Sequence, residues 1–571
     1  MPALAFAVVA FSLVTAASPQ TPPPPTAPPG NPAAAARDAV KTGTAALAGR
    51  VVNIENGRPL RRALVRAASP EVLQGRSVST DADGRWEIKD LPAGRFTINV
   101  QKGGYVPLSY GQRRPFEQGK PVDLADGQRV EKLEIALPKG SVLAGRIVDE
   151  FGEPVAGARV AAMRHRFMNG QRRLMPIASP GASDTTDDIG QYRLHGLAPG
   201  EYYLSASLAA LALEVSADRT GYAPTYYPGT PAIEEAQRVT LAVAQDLPEI
   251  NFPLAPTRVS KISGTAMTSE GKPMANGMIM LTGANAVGIG GSPLAGAAMT
   301  LGDGTFTLSN VAPGQYRLEM MAAATVESLR NSGTTAGMSV PEAASMTLTV
   351  AGQDISGVVI AAAPTSTATG RIVYEGTPPS EQATAAITVA GLPESPTAIS
   401  LGGMARVRAD GGFELKGLTG RRFLRVNPPP GWFLKSVRIS DTDVTDTAVE
   451  FKSGEDVSGV ECVLTQRSST VSGGVQDGKG QAVKDYVVVA FASDSRKWGP
   501  HTRFIRSVRP DQSGHFKLAG LPPENYLVAA LEFLEPGDEA DPDMLERLRP
   551  AATAVSLTEG ASKTVTLKLS R

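Results

Sequence analysis

Histidine is the residue type whose spacing would most readily reveal a catalytic or metal site in this chain. The 571 residues include four histidines, His165, His195, His501 and His515. The sequence contains no HExxH, CxxC or GxSxG pattern, so the spacing typical of a zinc site, a redox pair or a serine nucleophile is missing. His195 and His515 stand at alternating positions that face outward from a predicted strand. We therefore predict no catalytic residue, no metal site and no cofactor.

Two groups of carboxylates have a spacing that invites a chemical interpretation. Asp81 to Gly84 (DADG) has the start of an EF-hand loop, but the remaining calcium ligands and the closing Glu are missing. Asp187 and Asp188 are adjacent in a turn, so they cannot flank a sugar ring from two sides as glycosidase carboxylates do. We interpret the first group as a hairpin turn and the second as a tight turn.

Two stretches rich in aromatic residues are better candidates for a binding site. Tyr222, Tyr226 and Tyr227 lie in GYAPTYYPGT, and Trp432 and Phe433 follow a run of Pro and Gly. Exposed aromatic side chains can stack on a sugar ring or anchor a protein partner. We predict these five residues as candidate ligand-binding residues. The alternative is that they pack over the edge of a domain and extend its core.

A sequence motif recurs along the chain and would form the strands and turns that position these residues; we call it the recurring phrase. Its clearest copy, Asp187 to Leu204, indicates a turn, a short strand, a second turn and another strand. Tyr192 and Leu194 alternate with polar residues and share one face of the first strand. The copies lie about 100 residues apart, which is typical of whole domains. We expect one aromatic residue of each copy to be buried in its own core: Trp86, Tyr192, Phe306, Phe413 and Phe516.

A second phrase, with a strand, a Gly-containing turn and a strand, precedes each copy, for example AGRIVDEFGEPVAGARV from Ala144. Together the phrases divide the chain into five tandem domains. The predicted boundaries are a signal peptide at 1–17, a Pro/Ala-rich linker at 18–43, and domains at 44–139, 140–257, 258–365, 366–467 and 468–571. One short helix is predicted at 541–548, where Asp and Pro stand at the N-cap and first helical positions. It should pack on the fifth domain through Met544, Leu545 and Leu548.

The two phrases resemble the carboxypeptidase regulatory-like domain, which is related to transthyretin-like and Cna-B-like modules. The resemblance covers nearly everything after about residue 44, and GYAPTYYPGT is similar to stretches of multi-repeat secreted proteins of the acidobacterial type. It implies an all-β chain of five tandem seven-stranded Greek-key β-sandwiches with a carbohydrate-binding-like fold. The family takes its name from a non-catalytic domain, so it implies no peptidase activity. The fourth domain departs from the pattern, with TGRR where the others have a Pro-containing turn.

The N-terminus has the features of an exported protein. Ala3 to Val14 is an apolar run too short to span a bilayer as a helix. Small residues follow, with Thr15 and Ala17 at the −3 and −1 positions of a cleavage site before Ser18. An uncleaved anchor is the alternative, although no Lys or Arg precedes the run. The Pro-rich segment after it is typical of an extended spacer.

Charge and cysteine content exclude several classes of function. The formal net charge is zero, and a neutral chain argues against nucleic acid as a partner. A local basic stretch, RHRFMNGQRR at 164–173, is interpreted as a solvated hairpin tip. Cys462 is the only cysteine and alternates with Val460 and Leu464, so we expect it to be a small core residue and not a reactive thiol.

These observations predict a non-enzymatic protein that is secreted or located in the periplasm or outer cell envelope, with no transmembrane domain in the mature chain. It would act as a structural or adhesive spacer, or as a protein-interaction scaffold. Its partner would be an envelope or extracellular protein, or a polysaccharide. A carbohydrate-binding protein that uses the aromatic loops is the alternative. Linkers of a few residues predict domains joined end to end as a semi-rigid rod, and the oligomeric state stays open.

Overall fold

Alternation of side chains explains why the recurring phrase folds into strands. In Gln191–Leu197, Tyr192 and Leu194 are buried, whereas Gln191 and Arg193 are exposed, as expected of a strand with one face on a core. The same pattern recurs through the described residues, which are mainly β-strand. The prediction of an all-β sandwich fold is confirmed.

The computed structural model describes residues 43–69, 72–168, 170–208, 220–283, 294–332, 340–395 and 402–570. The predicted signal peptide and nearly all of the predicted linker lie outside these residues. Residues 43 to 571 form one compact unit, so the predicted domain boundaries stay predictions. We call five successive clusters of buried side chains, with their strands, the first to fifth sandwich: Ala45–Leu137, Leu143–Leu254, Ile262–Ala362, Ala368–Leu464 and Val471–Leu567.

The strands of the first two sandwiches carry the loops that form the candidate site below. Those of the first are β1 Ala45–Asn53, β2 Leu64–Ser69, β3 Val72–Ser79, β4 Arg85–Leu91, β5 Gly94–Gln101, β6 Leu108–Ser109, β7 Val122–Leu124 and β8 Arg129–Leu137. Those of the second are β9 Ser141–Val148, β10 Ala158–Met168, β11 Gln171–Pro176, β12 Ser183–Thr185, β13 Gln191–Leu197, β14 Gly200–Leu208, β15 Thr220–Tyr222, β16 Thr225–Tyr226, β17 Val239–Leu241, β18 Asp246–Leu247 and β19 Phe252–Pro253.

The remaining strands continue the same plan. The third sandwich has β20 Pro256–Arg258, β21 Ser260–Met267, β22 Met278–Gly283, β23 Leu294–Met299, β24 Thr305–Val311, β25 Gly314–Met321, β26 Glu342–Val350, β27 Ile355–Ala361 and β28 Ala363–Pro364. The fourth has β29 Ser366–Glu375, β30 Thr388–Pro393, β31 Met404–Arg406, β32 Gly412–Leu418, β33 Gly420–Asn427, β34 Phe433–Ile439, β35 Thr442–Asp443, β36 Val449–Phe451 and β37 Val457–Thr465. The fifth has β38 Ser469–Gln476, β39 Ala482–Val483, β40 Val487–Ala492, β41 Ile505–Val508, β42 Phe516–Leu521, β43 Glu524–Leu531, β44 Thr553–Leu557 and β45 Ser562–Ser570.

Each sandwich repeats one pairing around a long strand near its start. That strand is antiparallel to one neighbour and parallel to another: β1 with β4 and β8, β9 with β13 and β18, β21 with β24 and β27, β29 with β32 and β37, and β38 with β42 and β45. The first sandwich has eight strands where seven were expected, and one of them is the two-residue edge strand β6.

The turns of the recurring phrase join different sheets. Asp81 to Gly84 links β3, which pairs with β2, to β4, which pairs with β1, so the prediction of a hairpin turn here is wrong. The turn itself is tight, because the Asp81 carboxylate accepts hydrogen bonds from the N–H groups of Asp83 and Arg85. Gly84 has φ +73°, and a Cβ there would lie 2.4 Å from the carbonyl oxygen of Val51, so this position requires glycine.

The predicted core aromatics are confirmed as buried equivalents. Each occupies the first or second position of the strand that pairs with the long strand described above. Their exposed fractions are 1–4%: Trp86, Tyr192, Phe306, Phe413 and Phe516.

Three α-helices lie among the described residues: α1 Ala323–Ser332, α2 Glu381–Ala385 and α3 Pro542–Leu548. Within those ranges no helix is long and apolar enough to cross a membrane. Helix α3 confirms the prediction for 541–548. The Asp541 carboxylate accepts a hydrogen bond from a backbone N–H of the first turn at 3.0 Å, and Leu545 and Leu548 pack into a hydrophobic cluster on the fifth sandwich.

The lone thiol is inert in the folded chain. Cys462 is fully buried in the fourth sandwich, and burial raises the pKa of its thiol to about 12. Because the thiolate is the reactive form, we expect no reaction with a disulfide reagent such as DTNB at neutral pH until the fourth sandwich unfolds. One equivalent of thiol should then appear. Rapid labelling of the native chain would show that this sandwich opens locally.

Candidate functional site

The tyrosines predicted to bind a ligand lie at the edge of the second sandwich. All three are half-buried, and Tyr222 and Tyr227 pack against the core of this sandwich. The Tyr222 hydroxyl donates a hydrogen bond to the Glu150 carboxylate at 2.8 Å. Burial raises the pKa of Tyr222, and this hydrogen bond raises it further. Tyr227 meets Phe252 edge to face, with 5.8 Å between ring centroids. The loop is thus held by its own contacts, and binding through Tyr226 and its neighbours stays a prediction.

The second aromatic stretch does not form an exposed platform. Trp432 is 4% exposed and belongs to the core of the fourth sandwich, where it meets Tyr374 edge to face at 5.1 Å. Phe433 is half-buried and lies against Gly520 of the fifth sandwich. The contact is so close that a Cβ added at Gly520 would be only 2.5 Å from the Cδ1 atom of Phe433. The expectation that Trp432 is exposed is wrong, because the fourth sandwich buries this large apolar ring. The two aromatic stretches pack on different sandwiches.

The histidines do not assemble a catalytic or metal site. His195 and His515 are exposed, as predicted. The His165 ring meets Tyr203 edge to face at 5.2 Å, and burial lowers the pKa of His165. His501 Nε2 lies 3.1 Å from the carbonyl oxygen of Pro393, and burial also lowers its pKa. Among the residues that the structure describes, no group of three or more His, Cys, Asp or Glu side chains could hold a metal ion.

A buried ion network joins the first sandwich to the fifth. The Arg509 side chain is 1% exposed and lies 2.5 Å from the Glu117 carboxylate, which is itself 3% exposed. Arg509 also pairs with Asp485 of the fifth sandwich. Two cations of the first sandwich pair with the Asp485 carboxylate as well, Arg113 at 2.5 Å and Lys120 at 3.0 Å. The predicted end-to-end rod is wrong in this respect, because the fifth sandwich contacts the first.

The fifth sandwich also contacts the second, through the hairpin of β10 and β11. Arg164 lies 2.9 Å from the Glu535 carboxylate, and its guanidinium stacks on the Phe116 ring with 3.9 Å to the centroid. The Arg166 guanidinium donates a hydrogen bond of 3.4 Å to the carbonyl oxygen of Pro536. The interpretation of this basic hairpin as a solvated tip is therefore wrong, because a sandwich far along the chain covers part of it.

Neighbouring sandwiches are fixed to each other as well. Arg503 pairs with the Asp446 carboxylate through two bonds of 2.7 and 2.9 Å and donates to the carbonyl oxygen of Leu434 at 2.7 Å. Arg425 donates two hydrogen bonds to the carbonyl oxygen of His501. Bidentate guanidinium contacts of this kind are the stronger and more directional class, so the fourth and fifth sandwiches are held in one geometry.

A cleft opens where the first, second and fifth sandwiches meet. Its volume is about 450 Å³, which falls in the usual range of small-molecule sites. The loop between β5 and β7, the hairpin of β10 and β11, and the segment Glu535–Pro536 form its walls. A second cavity of about 400 Å³ borders it and is lined by both cations and carboxylates, including Arg172, Arg238, Glu201 and Asp538. This cleft was not predicted from the sequence, because its walls come from segments that lie far apart along the chain.

The fold and the contacts between sandwiches define a tandem β-sandwich protein. Its first two sandwiches match the carboxypeptidase regulatory-like domain over residues 46–138 and 142–255. These two tandem matches confirm the resemblance for the first two sandwiches. A search of curated protein sequences finds no match.

Several solved pilin structures are similar to parts of the chain. The minor pilin GBS52 of Streptococcus agalactiae is 14% identical, with 37% of this chain and 96% of that chain covered and a TM-score of 0.22. A streptococcal ancillary pilin is 13% identical, with coverages of 55% and 98% and a TM-score of 0.18. The shaft pilin SpaA of Lactobacillus rhamnosus GG is 12% identical, with coverages of 38% and 98% and a TM-score of 0.17.

Proposed function

We propose that the chain is a non-enzymatic, secreted or envelope-associated scaffold that holds several β-sandwich domains in a fixed arrangement for a structural or adhesive role. The observation that carries this proposal is the buried pair of Arg509 and Glu117, which joins the first and fifth sandwiches. A spacer made of loosely linked domains has no use for such a pair. A scaffold does, because its interaction surfaces must keep their relative positions.

The buried ion pair supports this assignment because it fixes how the sandwiches are placed, and not because it adds much to the free energy of unfolding. Desolvation cancels much of the Coulomb energy of a buried ion pair, whereas removing one partner leaves a costly unpaired charge. The network around Arg509 therefore penalises alternative placements of the fifth sandwich. We propose that the five domains predicted from the sequence are the units whose relative positions this network fixes.

The partner proposed for the scaffold is an envelope or extracellular protein, or a polysaccharide. The half-buried tyrosines Tyr222, Tyr226 and Tyr227 stay candidates for a carbohydrate contact. Trp432 does not, because it lies in a core. An array of glycans probed with the full chain separates the two partner classes, since a protein-binding scaffold should give no saturable glycan signal.

Cell fractionation followed by N-terminal sequencing tests the proposed location. We expect the natural protein in the envelope or the medium, with a mature N-terminus near Ser18, because the apolar run and the small residues before Ser18 have the pattern of a cleaved signal peptide. Recovery of a full-length form from the cytoplasm alone would contradict the proposed role outside the cell.

A further inference from the structure

The cleft between the first, second and fifth sandwiches has an apolar floor. Leu108 from the first sandwich, Ile177 from the second and Phe116 from the loop between β6 and β7 contribute to its lining. The buried Tyr202 also belongs to the lining, and its hydroxyl donates a hydrogen bond to the carbonyl oxygen of Ala198 at 2.5 Å. A site with this lining favours a ligand with an apolar body, because burying apolar surface is the main gain available there.

Charges at the rim of the cleft do not balance. Arg164 is paired with Glu535 at 2.9 Å, and Glu117 is paired with Arg509 at 2.5 Å. The fourth charged residue of the lining is Arg166, which is exposed and donates a hydrogen bond of 3.4 Å to the carbonyl oxygen of Pro536. Across the described ranges no carboxylate lies within ion-pair distance of Arg166, so the cleft keeps one cation without a counter-charge.

The strand register adds a second cation to the same face. Arg166 on β10 lies directly opposite Arg173 on β11, and residues that oppose each other across antiparallel strands project to one side of the sheet. Arg173 is 8% exposed, and its Nε donates to the Gln171 side-chain oxygen at 3.1 Å. Arg166, which is exposed, is therefore the cation of this pair that a ligand in the cleft can reach.

We propose that this cleft binds a small amphipathic carboxylate, with its apolar body on Leu108, Phe116 and Ile177 and its carboxylate on Arg166. A carboxylate fits better than a bulkier anion because the planar fork of one guanidinium matches two carboxylate oxygens. The site needs the fifth sandwich in place, since Glu535 and Pro536 form one of its walls. This ligand site goes beyond the scaffold role and rests on the fixed placement of the fifth sandwich proposed there.

Titration calorimetry of the full chain with 2-naphthoate, and with 2-naphthalenemethanol as its uncharged counterpart, tests the proposal. We expect saturable 1:1 binding of 2-naphthoate and binding of the alcohol that is at least about tenfold weaker, because hydrogen bonds to charged groups are the strong ones. Arg166→Gln should weaken 2-naphthoate binding by at least about tenfold and leave the alcohol unchanged. Arg193→Gln is the matched control, since it removes an exposed cation of the same sandwich on the outer face of β13.

A second variant tests the position of the ligand independently of charge. Ala178 is exposed in the cleft lining, so Ala178→Trp should fill the cleft and abolish binding of both probes without disturbing a core. The far-ultraviolet circular dichroism of each variant should match that of the natural chain. The proposal is overturned if 2-naphthoate gives no saturable heat, if the alcohol binds equally well, if Arg166→Gln behaves like Arg193→Gln, or if Ala178→Trp binds normally.

Discussion

Replacing Glu117 with Ala should release the fifth sandwich from the first. The change leaves Arg509 in a site where its side chain is 1% exposed and where Asp485 is already shared with Arg113 and Lys120. Breaking a buried pair from one side typically costs about 3–5 kcal/mol. Undocking returns the guanidinium to water without unfolding either core, so we expect the contact to open while both sandwiches stay folded.

Hydrogen exchange followed by mass spectrometry measures this directly. The Glu117 carboxylate itself accepts hydrogen bonds from the N–H groups of Arg113 and Arg114, so the reporter of undocking is the facing segment of the fifth sandwich. Amides of residues 507–511 beside Arg509 should lose protection in Glu117→Ala, whereas those of β1 and β38 should keep it. Glu270→Ala is the control, because its partner Lys272 and Glu270 itself are both largely exposed and such pairs contribute little. Unchanged protection of residues 507–511 in Glu117→Ala would show that the ion network does not hold the two sandwiches together.

Replacing Phe413 with Ala should destabilise the fourth sandwich by about 3–5 kcal/mol, through lost apolar burial and the cavity left behind. Phe413 is 1% exposed, carries no polar atom and packs in a core with Leu415, Trp432 and Cys462. Thiol release from Cys462 during denaturant unfolding reports on this sandwich alone, since the chain has no other cysteine.

Lys416→Ala is the matched control for Phe413→Ala, because Lys416 is on the opposite face of the same strand and is exposed. The midpoint for exposure of Cys462 should fall strongly in Phe413→Ala and hardly change in Lys416→Ala, while the other sandwiches keep most of their stability. A small effect of Phe413→Ala together with a large effect of Lys416→Ala would mean that the two faces of β32 are exchanged, as a one-residue register slip would do.

Features with local physical causes could be predicted from the sequence. Burial of Tyr192 and Phe413 follows from alternation along a single strand, and helix α3 follows from an Asp and a Pro at its start. Cys462 was placed in a core by the same alternation. In each case the residues that determine the structure lie within a few positions of one another.

Contacts between distant sandwiches could not be predicted in this way. Arg164 and Glu535 are 371 positions apart, and no local pattern links them. The basic stretch at 164–173 and the acidic stretch at 532–543 are both visible in the sequence, but most runs of charge are simply solvated. Their pairing depends on how whole sandwiches are placed, which is decided by many weak contacts at once.

The error at Trp432 has a different origin. The Pro/Gly run before it does indicate a turn, as the contact from the Trp432 N–H to the carbonyl oxygen of Pro429 shows. Turn residues determine the path of the backbone and not the side to which the next side chain points. A large apolar ring beside an unfilled edge of the core is buried whenever the backbone allows it.

The central claim is that the fifth sandwich has one fixed position relative to the first, and a spin-label distance measurement tests it most directly. Labels at Ala125→Cys and Ser513→Cys, both exposed, report on the two sandwiches, while the buried Cys462 stays unlabelled. The account predicts one narrow distance distribution in the natural background and a broad one when Glu117→Ala is added. A broad distribution in the natural background would contradict it.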